Sequence, residues 1–153
     1  MAEYLAPAAQ NVALNQAAIF DASIQCRNGT IIHEDGTGIF ILRGIVGSPY
    51  IPFARYRVTF NGNIALPTGS TTIGAIAVAL TVNGEVRPSS VAIVTPAAVE
   101  EFFNVTSVAS ITVPRGADFT VSLRHVAAST DPTVTPAQII TIQNGNLIID
   151  RTA

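Results

Sequence analysis

Side chains able to do acid–base, nucleophilic or metal chemistry are scarce in this chain: two His, one Cys and ten Asp or Glu spread over 153 residues. The densest group is His33-Glu34-Asp35. An imidazole and two carboxylates in succession, closed at once by Gly36, describe a turn that either grips a metal ion weakly or stands as a solvated hairpin tip. Ser122, His125 and Asp131 supply the residue types of a nucleophilic triad. Neither a strained nucleophile elbow nor a glycine-rich oxyanion loop accompanies them, so the three residues alone do not make an acyl-transfer site. Gly44 to Gly47 lacks the lysine and the strand-to-helix setting of a phosphate loop. Cys26 stands alone, which rules out an internal disulfide and a cysteine-based zinc site and leaves a small buried residue. The expectation is a protein that is not an enzyme and uses no cofactor.

Recognition is the chemistry that remains. Residues 48–52, with Tyr50, and residues 127–133, with Asp131, are long enough to display side chains from a rigid scaffold, and Tyr50 near Arg55 would suit a sugar ring. Both are equally readable as ordinary connections. The elements that must carry them are strands. Over residues 55–66, Tyr56, Val58, Phe60, Ile64 and Leu66 share one face while Arg55, Arg57, Thr59, Asn61 and Asn63 share the other, the period-two pattern of a half-buried strand. Phe119, Val121 and Leu123 repeat it, as do Val105, Ala109, Ile111 and Val113. The dipeptides Asp35-Gly36, Asn61-Gly62, Asn83-Gly84 and Asn144-Gly145 offer the positive φ angles of hairpins and bulges. Residues 39–42, 73–82, 139–142 and 147–149 are apolar on both faces. Their second face needs a cover, for which a neighbouring subunit is the economical answer and a long loop of the same chain the alternative. Only residues 95–102 read as helical, with Thr95 as cap, Pro96 at the first position and Glu100 and Glu101 following.

Composition narrows the partners. The basic residues are eight Arg and no Lys, against ten acids, with no basic cluster to follow a nucleic-acid backbone. Charged residues make up only 12% of the chain, which suggests a surface partly covered by other subunits. No eighteen apolar residues run unbroken and no basic-then-apolar leader opens the sequence, so neither membrane insertion nor a secretion signal is expected. The acceptor patterns Asn28-Gly29-Thr30 and Asn104-Val105-Thr106 carry no weight without a secretory route. Residues 1–16 lack sustained alternation and read as an extended arm with Tyr4, Leu5 and Pro7, ahead of a single domain over residues 17–153.

Three stretches in order are similar to successive strands of the tumour-necrosis-factor and complement-globular-head jelly rolls. They are Gly36-Thr37-Gly38-Ile39-Phe40-Ile41-Leu42, then Ala54-Arg55-Tyr56-Arg57-Val58-Thr59-Phe60-Asn61-Gly62-Asn63-Ile64, then Ile76-Ala77-Val78-Ala79-Leu80-Thr81-Val82-Asn83-Gly84-Glu85. Asn104-Val105-Thr106, Val113-Pro114-Arg115-Gly116 and the closing Asn146-Leu147-Ile148-Ile149-Asp150-Arg151 extend the resemblance over roughly residues 12–151. It implies an all-β antiparallel β-sandwich jelly roll that forms a bell-shaped homotrimer. Tyr56, Phe60, Phe102, Phe103 and Ile142 would then lie at the threefold axis or in the core. The phrasing most resembles jelly rolls of bacteria and their phages. Without a Gly-x-y stalk it points to a virion protein, a capsid decoration or head fibre held on the phage particle by the arm. The alternatives are a receptor- or glycan-binding tip and a bacterial cell-surface or spore-coat protein. Such motifs specify fold far better than role.

Overall fold

The structure, a computed structural model, describes residues 1–25 and 29–153; Cys26 and Asn28 lie outside the described residues. Its strands, in chain order, are β1 (Ala2–Ala6), β2 (Gln10–Ala13), β3 (Ala22–Gln25), β4 (Ile31–His33), β5 (Phe40–Arg43), β6 (Phe53–Ala65), β7 (Ile76–Val82), β8 (Glu85–Val86), β9 (Ala92–Val94), β10 (Phe103–Pro114), β11 (Asp118–Val126) and β12 (Ile139–Arg151). They build two antiparallel sheets. The first runs β10-β6-β12-β1-β3 with β2 also on β12, and the second runs β4-β5-β11-β7-β8 with β9 also on β7.

The alternation in the sequence sets which face is which. On β6 the even positions from Ala54 to Ile64 turn inward and the odd ones outward, so Tyr56, Val58 and Phe60 meet the second sheet. β10 does the same with Val105, Ala109, Ile111 and Val113. Between the sheets Phe20, Phe40, Phe60 and Tyr4 pack edge to face, with ring centroids 4.6 to 6.5 Å apart. Each such side chain contributes about 1.5–3 kcal/mol by leaving water.

Four expectations are corrected. The arm is not an arm: β1 lies between β12 and β3, Tyr4 sits opposite Leu147 and Ser23, and its side chain is fully buried. Alternation over five residues, with Ala2, Tyr4 and Ala6 inward, was enough to make an interior strand, and residues 1–16 are not separable from the sandwich. The doubly apolar β7 is covered by its own chain. Ile76, Val78 and Leu80 face the main core, while Ala77 and Ala79 face outward under Val86, Val91 and Ala128. Small side chains leave room for that strap, a 3₁₀ turn at Pro88–Ser90 between β8 and β9. Residues 95–102 form turns, not a helix, because a single turn without an apolar stripe has little to hold it. Finally, Asn61-Gly62 makes neither a hairpin nor a bulge, and Asn144-Gly145 makes a bulge and not a hairpin. β6 runs straight through the first, where a Cβ on Gly62 would stand 2.6 Å from the Phe60 ring. The second lies inside β12 as a bulge against β6, with Asn144 at φ 55°. Asn83-Gly84 does make the expected tight turn, both residues at positive φ.

Candidate functional site

The strand lengths decide which loops share an end of the sandwich. β6 starts just after residues 48–52 and ends before residues 66–75. β11 starts at the turn following β10, a turn tied to Gly44 and Pro52 by backbone hydrogen bonds, and ends before residues 127–138. Residues 48–52 therefore occupy one end, and residues 66–75 and 127–138 the other, about 40 Å away by the rise of thirteen strand residues. The two loops expected to bind do not converge. Tyr50 is 92% exposed, while Arg55 lies over the Phe53 ring at 4.6 Å and does not form a shelf with it.

A cleft lies at the second end. Two adjoining hollows of about 370 and 290 Å³ share Thr72, Thr135, Pro136 and Ala137 between the loops after β6 and β11. Thr68, Ser70, Thr71, Thr72, Thr135 and Gln138 give the first hollow its hydroxyl and amide groups, and Ile73, Val134 and Pro136 give the second an apolar wall. No charged side chain lines either. Both loops are held by their own polar groups. Ser70 Oγ donates to the Pro67 carbonyl at 2.9 Å, Thr68 Oγ1 donates to Glu100 at 2.6 Å, and the Gln138 amide donates to the Pro136 carbonyl at 3.0 Å. Asp131 is spent on an Asx turn. Its Oδ1 accepts from the Thr133 backbone N–H at 2.9 Å and from the Thr133 hydroxyl at 2.8 Å, and those bonds hold its carboxyl below the usual carboxylate range. Residues 67–72 fall between the patterned runs 55–66 and 73–82, and their Pro, Gly, Ser and Thr give no local sign of a site.

The triad is not assembled. Ser122 and His125 lie three apart on β11, an odd separation that sends them to opposite faces of the sheet. Ser122 Oγ pairs with Thr81 Oγ1 on the outer face. His125 is 1% exposed on the inner face, and its Nδ1 donates to the Val12 carbonyl at 3.0 Å. Burial pushes the His125 pKa down, against the opposing pull of the Val12 and Ala13 carbonyls. Among the described residues no three His, Cys, Asp or Glu side chains gather at one point, and no helix is long and apolar enough to cross a membrane.

The expected axis-or-core set divides. Tyr56, Phe60 and Ile142 are 1%, 0% and 1% exposed and belong to the core, with the Tyr56 hydroxyl donating to the Arg43 carbonyl at 2.6 Å. Phe103 is half-buried at the start of β10, and Phe102 before it is exposed. Leu5 is half-buried on the outer face of β1, and exposed Pro7 follows it, its carbonyl accepting from the Asn144 N–H at 3.3 Å beside the β12 bulge.

The sequence matches no protein-family model and no characterised protein. Among solved structures it is similar to the globular domain of a zebrafish complement 1qA protein, at TM-score 0.54 and 13% identity over 96% of this chain and 94% of that one. It is also similar to the C-terminal domain of EclA, a sugar-binding protein, at TM-score 0.42 and 15% identity over 95% of this chain and 79% of that one. The first likeness bears out the fold: an antiparallel β-sandwich jelly roll of the complement-globular-head type.

Proposed function

We propose that this chain is a non-catalytic binding domain, displayed as a homotrimer on a surface, that takes a neutral, hydroxyl-rich ligand such as a host glycan in its end cleft. The observation that carries the reading is the cleft's lining. Hydroxyls and one amide can exchange hydrogen bonds with sugar hydroxyls, and Ile73, Val134 and Pro136 can cover the C–H face of a ring. The cleft offers no general base, nucleophile or charged clamp.

Trimer formation is supported by the outer face of the first sheet. The outward side chains of β10 are Asn104, Thr106, Val108, Ser110 and Thr112, with no charge among them; Thr59, Asn61 and Asn63 of β6 continue the neutral surface, which ends at Arg57 and Arg55 beside Ser110 and Thr112. Exposed Phe102 stands at its margin. A virion setting, as capsid decoration or head fibre, draws on the resemblance of the sequence's phrasing to jelly rolls of bacteria and their phages. The alternative is a bacterial cell or spore surface. With β1 built into the sandwich, attachment in either setting would use a surface face.

Ligand-observed NMR against neutral glycans tests the cleft. Binding should be weakened at least tenfold by Gln138→Ala or Thr72→Val and untouched by Tyr50→Ala at the far end. Loss with Tyr50→Ala alone would move the site to residues 48–52, and no binding to any neutral glycan would end the reading. Gold-labelled antibody on purified particles and on host cells tests the setting. Label on capsids supports decoration, and label confined to cells removes the virion.

A further inference from the structure

His33 ends β4 with its ring fully enclosed, 0% exposed, stacked on Phe40 at 4.2 Å and 12° and meeting the Tyr4 ring edge-on at 4.8 Å. Its Nε2 lies 3.0 Å from the Thr37 carbonyl oxygen. A carbonyl can only accept, so Nε2 carries a proton, and in the neutral ring Nδ1 presents a lone pair. That Nδ1 is buried and has no hydrogen-bond partner. Asp35 Oδ1 lies 3.8 Å from it, on a carboxylate that is 57% exposed. A lone pair facing a carboxylate is electrostatically unfavourable unless something electropositive lies between them. The Tyr4 hydroxyl, from β1 in the opposite sheet, is also buried without a partner. Burial first, and the Asp35 charge second, push its pKa up to about 12.

We propose that His33 Nδ1 and the Asp35 carboxylate form a binding site for a divalent first-row transition ion of the zinc class, with solvent oxygens completing its coordination. The imidazole is presented as ligating imidazoles usually are, its other N–H fixed on a backbone carbonyl. An ion about 2.0–2.2 Å from a nitrogen and a carboxylate oxygen holds those two atoms roughly 3 to 4 Å apart, which brackets the observed gap. One nitrogen and one oxygen donor favour zinc-like ions over calcium or magnesium, which want all-oxygen cages. Tyr4 would donate to the carboxylate or to a solvent oxygen on the ion. The ion would then tie the β4–β5 turn to β1 and so pin one sheet to the other.

The test is a titration of the full chain with zinc chloride alone, in a Cys26→Ser background that removes the one thiol, followed by calorimetry and by the histidine ring resonances. One zinc per chain should bind at micromolar concentration, moving the His33 resonances and leaving His125, its buried internal control, unmoved. Asp35→Asn, a change on an exposed side chain, should weaken binding tenfold or more. It should also abolish the zinc-induced rise in melting temperature while leaving the melt in EDTA unchanged. No binding up to millimolar zinc, unchanged affinity in Asp35→Asn, or zinc-dependent shifts that bypass His33 would each overturn the assignment.

Discussion

Single atoms in this protein are placed by whether they find partners. His125 and Tyr56 are buried polar side chains that do, through the Val12 and Arg43 carbonyls. His125 also links stability to pH. Its folded pKa is depressed, so between the unfolded value, about 6.5, and lower pH the unfolded chain binds more protons than the native one. Its contribution is complete above that unfolded value and is lost as pH falls through the folded one. Urea midpoints measured from pH 7.5 to 5 should therefore decline. His125→Asn, whose amide can still reach Val12, should flatten the decline. Tyr56→Phe removes one donor from the half-buried Arg43 carbonyl and should cost about 1 kcal/mol in the same assay. Tyr4→Phe deletes a hydroxyl that has no partner and, measured without metal, should cost nothing or stabilise.

At the scale of elements, the second sheet depends on a strap. Ser90 is buried at the end of the 3₁₀ turn, where its hydroxyl accepts from the Leu80 N–H at 2.9 Å and donates to the Arg87 carbonyl at 2.7 Å. The Ser107 hydroxyl on β10 donates to the Ser90 carbonyl. One serine thus seats the cover of β7 and joins it to the first sheet. Ser90→Ala orphans the Leu80 N–H and should cost about 1–3 kcal/mol, with hydrogen exchange accelerating first at residues 86–91. The β5–β6 connection is equally constrained. A Cβ on Gly44 would meet the Pro114 carbonyl oxygen at 2.0 Å, so Gly44→Ala must displace the β10–β11 turn. The overpacking should cost about 1–3 kcal/mol, read as a lower urea midpoint.

For the whole molecule, the open question of association reduces to one face. If copies of the chain meet on β10 and β6, Val108→Arg should shift sedimentation from trimer to monomer and remove the concentration dependence of the melting temperature. Val108 is 44% exposed, so the monomer's own stability should move by no more than about 0.5 kcal/mol. A wild-type chain that sediments as a monomer at all concentrations would exclude the trimer. The cleft at the other scale boundary, between residues 66–75 and 127–138, needs no second chain to exist.

The sequence by itself determined the strands and their faces, because period-two alternation reports burial directly: β6, β10 and β11 could be read residue by residue. It determined the turn at Asn83-Gly84. What it left open were matters of distance along the fold. Five alternating residues at Ala2–Ala6 are too short a signal to separate an arm from an interior strand, and only pairing with β12 and β3 decides. The outward face of Ala77 and Ala79 looks the same in sequence whether a subunit or a strap covers it. Tyr50 and Asp131 looked alike as loop residues until strand length put them at opposite ends. The cleft and the paired orphans of His33 and Tyr4 join residues far apart in the chain, and such meetings are decided by tertiary packing, since local pattern carries no information about which distant surfaces close on each other.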